Sequence, residues 1–333
     1  MVRLVAGRVV AGIVLTLLLT LLTYVVFFRI PVDPVSYILN EPTPEQRAEL
    51  RQQLGLDEPL LNQWGRFAWR LGTEGDLGTS LLGGAPVNSI LRGSLPATVS
   101  LVLGGFVLTL LLAFPLGMLS ALRAGSLLDR GIFGFTVIGI VLHPFLVGLV
   151  LRSGAERLEI APGGGYCPLR GQTQEFGPSG ATGFCGGLAD WSHHMALPWL
   201  TFALFFLPLY TRMVRARFLD NLDQLYVRTA RAKGASERRV LLGHVSRNAL
   251  GPLTAMIAVD VATVVTAAIY IETIFGLPGI GRLVASNLTG ARGYDLHVLV
   301  GVVVLVTIAI TAANLFSDLT LRRLDPRVRA ASR

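Results

Sequence analysis

Charged residues are scarce in this chain of 333 residues. Asp, Glu, Lys and Arg make up 15% of it, whereas hydrophobic residues make up 52%. In a soluble domain about a quarter of the residues are charged. So few charged side chains cannot cover a water-soluble fold, and the composition indicates that much of the protein surface lies in lipid.

Lysine is rarer still. The single lysine, Lys233, stands outside any match to Gly-x-x-x-x-Gly-Lys-Ser/Thr, the loop that holds phosphate in many ATPases. We therefore expect the chain to bind no ATP itself. No Ser, His and Asp side chains fall at a common depth in the apolar stretches, so no catalytic residues are predicted.

The charges that are present leave six long apolar stretches between them. A transmembrane helix needs roughly 20 residues without an ionised side chain. Only the fifth stretch contains a charged residue, Asp260, and buried helices of soluble enzymes are shorter and amphipathic. The sequence therefore predicts an all-α polytopic membrane protein with six transmembrane helices at 9–28, 95–122, 131–151, 192–211, 248–271 and 296–317.

The distribution of basic residues predicts the topology. The segments 1–8, 123–130, 212–247 and 318–333 hold 18 Lys and Arg against 6 acids, and the segments on the other side hold 11 against 14. By the positive-inside rule both termini are cytoplasmic. This asymmetry also accounts for the net charge of +8, so no nucleic-acid partner is expected. The first stretch lacks a small-residue cleavage site, and we expect it to be retained as a span.

The outer segment 29–92 carries helix signals of its own. Thr43 reads as an N-cap, with a proline at N1 and a capping-box Gln46, and this helix should end near Leu54 before Gly55. A second helix follows, with an apolar face formed by Leu60, Trp64, Phe67 and Leu71. That face packs either against the membrane surface or helix bundle, or inside a small outer subdomain.

Residues 153–190 are rich in Gly and Pro, which predicts an outer loop with little regular structure. The loop contains Cys167 and Cys185. Thiols on the non-cytoplasmic side tend to oxidise, and a disulfide here would stabilise the loop by roughly 3 kcal/mol. The alternative is a metal site that adds His193 and His194, although this spacing matches no common zinc pattern.

The segment 212–247 is the most informative one. A helix-compatible stretch runs from Asn221 to Lys233 and is ended by Gly234. One helical face is formed by Leu222, Leu225, Tyr226 and Thr229, with Arg228 and Arg231 beside it. Such a helix either lies on anionic lipid or docks against a cytoplasmic partner.

Four motifs lie at 54–60 with 75–80, at 226–240 with 244–250 and Pro252, at 272–282, and at 324–329. In this order they resemble motifs in the permease subunits of dipeptide, oligopeptide and nickel ABC importers. The second of them resembles the EAA loop of that family, with Arg228, Thr229 and Ala230 in place of Glu-Ala-Ala, a form typical of the peptide branch. Together the motifs span nearly the whole chain.

The resemblance implies the type I ABC importer permease fold, in one transmembrane domain over 1–333, in a bacterial inner membrane. In that family the EAA loop forms a helix that inserts into a groove of an ATPase subunit. The implied coupling residues are Asp223, Leu225, Tyr226, Arg228, Thr229, Ala230, Arg231, Lys233 and Gly234. The implied partners are a second, paralogous permease, two cytoplasmic ATPase subunits that bind ATP and magnesium, and an extracytoplasmic binding protein that delivers peptides or similar small solutes.

Polar groups inside the spans are candidates for the transport pathway, because an ionisable side chain facing lipid costs at least a few kcal/mol. Asp260 either lines the pathway and meets a cationic group of the substrate, or pairs with an Arg or a backbone group of a neighbouring helix. His143, which precedes a proline that can kink the third span, and Asn314 are further candidates.

The main alternative function is an ion-coupled secondary transporter, which would show inverted repeats and several carboxylates inside the membrane. The sequence has neither. A membrane-embedded enzyme is a weaker alternative, because the spans lack a catalytic constellation.

Overall fold

The computed structural model describes residues 2–29, 35–38, 43–53, 55–159, 164–169, 172–176, 181–288 and 294–324. They form helices with one short β-hairpin. In chain order the elements are α1 (Val2–Arg29), α2 (Val35–Ile38), α3 (Pro44–Gln53), α4 (Leu60–Glu74), α5 (Val87–Leu122), α6 (Leu127–Val141), α7 (Pro144–Leu158), β1 (Gln172–Phe176), β2 (Ala181–Cys185), α8 (Leu188–Leu222), α9 (Leu225–Ala232), α10 (Glu237–Arg239), a π-helical turn (Val240–Val245), α11 (Ser246–Phe275), α12 (Ile280–Leu288) and α13 (Leu296–Leu324). The C-terminal motif at 324–329 lies outside the described residues from position 325 onward.

Four helices, α1, α5, α8 and α13, are long and apolar enough to cross a membrane. Two further pairs pass the same test together, although each is sharply bent. The axes of α6 and α7 are bent by 101° relative to each other, and the second pair consists of residues 259–275 of α11 and α12. By length and composition the described part of the chain therefore has four candidate spans, or six if each bent pair counts as one.

The bend between α6 and α7 falls inside the predicted span 131–151, which is therefore wrong as a single helix. Leu142 and His143 both have extended backbone angles, and Pro144 occupies the first position of α7. Proline cannot continue the hydrogen bonding of a preceding helix and disfavours helical angles at the residue before it. The expected kink is thus a full break.

The hairpin corrects the prediction that 153–190 has little regular structure. β1 pairs antiparallel with β2, with Gln172 opposite Cys185 and Phe176 opposite Ala181. Five residues are too few for a periodic pattern to reveal a strand, and the hairpin depends on pairing between two segments. α8 also begins within this range, at Leu188.

The chain divides into two compact units, of which the first comprises Met1–Thr98 and Pro278–Leu315. In it the apolar face of α4 packs on α1 and α13, and the Trp64 indole donates a hydrogen bond to Thr20 Oγ1 at 3.2 Å. The predicted capping box is present, because Gln46 N donates to Thr43 Oγ1 at 3.3 Å and Thr43 N to Gln46 Oε1 at 3.0 Å. Of the two placements open for the α4 face, the structure shows the one against the bundle.

The second unit comprises Val99–Leu277 and Phe316–Arg333 and has α8 at its centre. α8 packs against α6, α7 and α11, and the buried residues of α8 and α11 together form most of the main apolar core. Close packing requires small residues on the facing helices. A Cβ on Gly104 of α5 would overlap the Trp199 ring, and one on Gly139 of α6 would overlap Pro208.

Candidate functional site

The coupling segment, residues 223–234, begins where the chain changes direction at the end of α8. Asp223 retains helical backbone angles, whereas Gln224 is extended, with φ −70° and ψ 147°. The Tyr226 hydroxyl donates to Asn221 Oδ1 at 2.8 Å. This bond fixes the first turn of α9 to the last turn of α8.

One face of α9 is anchored in the protein and the other is exposed. Val227 is fully buried, and Tyr226 and Ala230 are half-buried against the main core of the second unit. Leu225, by contrast, is 78% exposed. The exposed side chains of the segment are Asp223, Gln224, Leu225, Arg228, Thr229, Arg231, Ala232 and Lys233.

The structure does not place the four predicted residues on one face, because Leu225 and Thr229 are exposed whereas Leu222 and Tyr226 pack against the core. The prediction continued the helical period of α8 from Leu222 into α9 as one helix. Because the turn at Gln224 separates the two helices, α9 starts with a new rotational phase.

The segment ends at a glycine with left-handed backbone angles. Gly234 has φ +78°, and the following amide, Ala235 N, donates to the Ala230 carbonyl at 3.1 Å. This pattern ends a helix most readily with glycine, which has no Cβ to clash in that conformation. Among the described residues no atom lies within 4 Å of a Cβ built on Gly234, so the constraint there is conformational and not spatial.

Two features fix the connection between the coupling segment and α11. The Arg231 guanidinium donates to both carboxylate oxygens of Glu237, at 2.7 and 3.3 Å, and so spans the glycine turn. The following π-helical turn buries Val240 and Val245, and Ser246 Oγ donates to the Leu241 carbonyl at 2.7 Å. α9 is therefore held to α8 at one end, and at the other end to α10 and the π-helical turn that lead into α11.

A partly buried ion pair near the end of α8, between Arg215 and Asp129, was not predicted. Asp129 accepts from Arg215 Nε and Nη2, both at 2.8 Å, from the Ser120 hydroxyl, and from Gly125 N at 2.9 Å. The carboxylate thereby joins α5, α6 and α8. The sequence offered one signal for the placement of Asp129 in the first turn of a helix. Ser126, three residues earlier, is a typical N-cap residue, and its Oγ caps α6 by accepting from Asp129 N.

Asp260 has a partner on a neighbouring helix. Its Oδ2 accepts a hydrogen bond from the hydroxyl of Tyr210 at 2.8 Å, and Tyr210 is fully buried whereas Asp260 is half-buried. The Tyr210 ring belongs to an aromatic cluster with Phe106 and Phe206. The partner is thus a phenol, where the sequence suggested an Arg or a backbone group.

The other two pathway candidates lie elsewhere. The His143 ring caps α7 by accepting from Phe145 N at 3.2 Å, and it packs on Tyr270 of α11 with ring centroids 4.6 Å apart. Ten residues of helix, about 15 Å, separate Tyr270 from Asp260 along α11. Asn314 is half-buried in α13, within the first unit.

Cys167 and Cys185 are bonded to each other, with Cα atoms 5.6 Å apart, and both are buried. Among the described residues no group of three or more His, Cys, Asp and Glu side chains is placed to hold a metal ion. His194 Nδ1 instead lies 2.9 Å from the Asp190 carbonyl.

Comparisons with known proteins place the chain in a family. Residues 113–330 match the family described as the inner-membrane component of binding-protein-dependent transport systems, and residues 1–102 match the N-terminal part of such membrane components. A Brucella abortus protein named as a peptide transport system permease is 32% identical over 99% of both chains. The dipeptide transport system permease DppB of Escherichia coli is 32% identical over 93% of this chain and 94% of its own.

A solved structure has a similar fold. The inward-facing MetNI methionine ABC transporter superposes with a TM-score of 0.53 at 17% sequence identity, covering 72% of this chain and 97% of the other. Together with the apolar helices, the family match identifies a multi-pass inner-membrane protein that transports and is not an enzyme. The chain belongs to the inner-membrane components of binding-protein-dependent transport systems, as the permease subunit of an ABC importer.

Proposed function

We propose that this chain forms half of a translocation pathway for peptides or similar small solutes, and that residues 223–234 dock against an ATPase subunit. The observation that carries the proposal is α9. Its inner face is anchored by the fully buried Val227, while Leu225 and several polar and basic side chains are exposed on the other face. A short helix held at both ends can transmit a partner's motion to the helices that follow.

We further propose six membrane crossings with both termini in the cytoplasm of a bacterial cell. Counting each bent helix pair as one span gives six, and the distribution of Lys and Arg supports this orientation. In that topology α9 lies on the cytoplasmic side, where an ATPase would bind.

Members of this family work with an ATPase and a substrate-binding protein. Since one chain supplies half of the pathway in this proposal, a second, paralogous permease completes it. Two ATPase subunits then bind ATP and magnesium, one beneath each permease. The alternative of an ion-coupled transporter loses its support, because the family match extends over most of the chain.

The substrate class rests on the relatives, which are named for peptide and dipeptide transport. Within the chain, Asp260 bonded to Tyr210 is the polar pair we propose for the pathway, where it would meet a cationic group of the substrate. Asp260→Asn keeps the shape and the acceptor oxygen but removes the charge. It should alter uptake or substrate preference and leave subunit copurification intact, whereas loss of assembly would assign Asp260 a structural role.

The proposal is tested by reconstitution of the permease with its copurifying subunits and binding protein in proteoliposomes. Labelled peptide should enter only with ATP. Leu225→Glu, which changes a side chain with little contact to its own chain, should lower ATPase copurification and uptake together. Leu188→Glu is the matched control, because Leu188 is 71% exposed at the start of α8, and it should leave both unchanged.

Two results would reject the docking role of α9. One is normal copurification and uptake with Leu225→Glu, which would leave α9 as a helix resting on lipid. The other is uptake driven by an ion gradient without ATP, which would make the protein a secondary transporter.

A further inference from the structure

The last turn of α11 is held by groups that lie far from it in the chain. Carbonyl groups in the last turn of a helix have no partner within that helix. The Ile274 carbonyl accepts a hydrogen bond from the Arg152 guanidinium of α7. The Phe275 carbonyl accepts from Gly165 N at 2.8 Å. We call these two contacts the α11 latch, and its arginine places a positive charge where the helix dipole is negative.

The loop that supplies Gly165 approaches α11 closely and is tied to the hairpin. A Cβ built on Gly164 would lie 2.9 Å from the Phe275 carbonyl oxygen, so any side chain there would push the loop away from α11. Two residues after Gly165, Cys167 is bonded to Cys185, the last residue of β2. A displacement of the hairpin is therefore passed through the disulfide to the loop side of the latch.

The arginine side of the latch can open without leaving a charge unpaired. Arg152 Nε donates to Glu156 Oε1 at 2.8 Å, one turn further along α7, and the two side chains are 39% and 49% exposed. If Arg152 releases the Ile274 carbonyl, the guanidinium keeps this partner and its other donors meet water. Contacts of exposed charged groups contribute little to stability. The latch therefore favours one position of α11 without locking it.

α11 connects the latch with the coupling segment. It begins at Ser246, directly after the π-helical turn that follows α9 and α10, and Asp260 lies near its middle. Its 30 residues correspond to about 45 Å. In the topology proposed above, the latch lies on the outer side of the membrane and the coupling segment on the cytoplasmic side. A rigid helix of this length carries a shift at one end to the other.

We propose that Arg152 is a positioning residue of the transport cycle, which together with Gly165 holds α11 in its resting position until the loaded binding protein docks on the same side. The inference rests on the proposed function, because it requires the coupling segment to bind an ATPase subunit. While the latch is closed, α11 keeps ATP hydrolysis slow. The loaded binding protein shifts the equilibrium towards the open latch, and α11 passes this change to the coupling segment.

The test compares ATP hydrolysis with and without loaded binding protein, in proteoliposomes that hold the permease with its copurifying subunits. Arg152→Met removes every donor of the guanidinium. Hydrolysis without binding protein should rise by up to about tenfold, as expected for loss of a hydrogen bond to a charged group, with the stimulated rate as its ceiling. Gly164→Ala, which presses a methyl group against the Phe275 carbonyl, should act in the same direction.

Matched controls come from the same helix, α7. Arg157→Met removes an exposed arginine outside the latch, and Gly154→Ala adds a methyl group where no described atom lies within 4 Å. Both should leave the basal and the stimulated rates unchanged. Arg152→Lys keeps the charge and a donor, and it should retain most of the low basal rate.

Faster hydrolysis without binding protein in both latch variants, with unchanged controls, supports the proposal. Unchanged basal hydrolysis in the assembled latch variants overturns it. Slow hydrolysis that no longer responds to binding protein also overturns it, because the contacts would then only maintain the fold. If Arg152→Met does not assemble, Gly164→Ala decides alone. A wild type that does not respond to loaded binding protein rejects the transport proposal, and this inference with it.

Discussion

Gly234→Val probes whether the end of α9 couples ATP hydrolysis to transport. The left-handed angles at Gly234, with φ +78°, cost a residue that carries a Cβ about 1–2 kcal/mol, and valine is branched at that atom. The chain can relieve this strain by opening the last turn of α9, which would break the bond from Ala235 N to the Ala230 carbonyl. A change of 1–3 kcal/mol shifts such an equilibrium roughly 5- to 150-fold.

The assay is the ATPase rate in proteoliposomes with and without loaded binding protein, after confirmation that all subunits copurify. In the wild type the loaded binding protein should stimulate hydrolysis. With Gly234→Val the binding protein still docks, but stimulation and uptake should fall at least about fivefold, because the tip of α9 is misplaced. Arg231→Glu, which loses the bidentate bond to Glu237 across the same turn, should have a similar effect.

Two controls separate coupling from general strain. Gly234→Asn should retain most of the stimulation, because asparagine tolerates left-handed angles. Gly75→Val introduces the same strain at the end of α4, where Gly75 has φ +65° and no described atom lies within 4 Å of its Cβ position. It should leave the stimulation unchanged. Wild-type stimulation and uptake in both Gly234→Val and Arg231→Glu would refute the coupling role of this segment.

Three other predictions concern the second unit. Arg215→Gln should destabilise the permease by about 2 kcal/mol, which is less than a fully buried pair would lose, because Arg215 stays partly exposed. If the losses of stability caused by Arg215→Gln and Asp129→Asn simply add in the double mutant, the two side chains do not form a direct pair. Gly104→Ala should destabilise the permease by about 1–3 kcal/mol, because the added methyl group overlaps the Trp199 ring. Gly134→Ala is the control: no described atom lies within 4 Å of a Cβ built there, so the better helix propensity of alanine should raise the thermal unfolding midpoint slightly. Alkylation of the unreduced, denatured chain should label neither Cys167 nor Cys185, and two labelled thiols would exclude the disulfide.

Features that depend on neighbouring residues could be predicted from the sequence. The apolar stretches predicted each long helix, since the free energy of transfer to lipid depends on composition alone. The capping box at Thr43 and Gln46 and the glycine stop at Gly234 are local backbone chemistry, and both are present. The motif at 226–240 indicated the family because it is contiguous in the chain.

Features that depend on distant residues were decided by the tertiary structure. The turn at Gln224 set the exposed face of α9, which a continuous helical period could not anticipate. Arg215 meets Asp129 across 86 positions, and Tyr210 meets Asp260 across 50. A local pattern fixes which residues form a helix, but the partner of a polar side chain is fixed only when helices pack, because burial then forces each donor and acceptor to find a match.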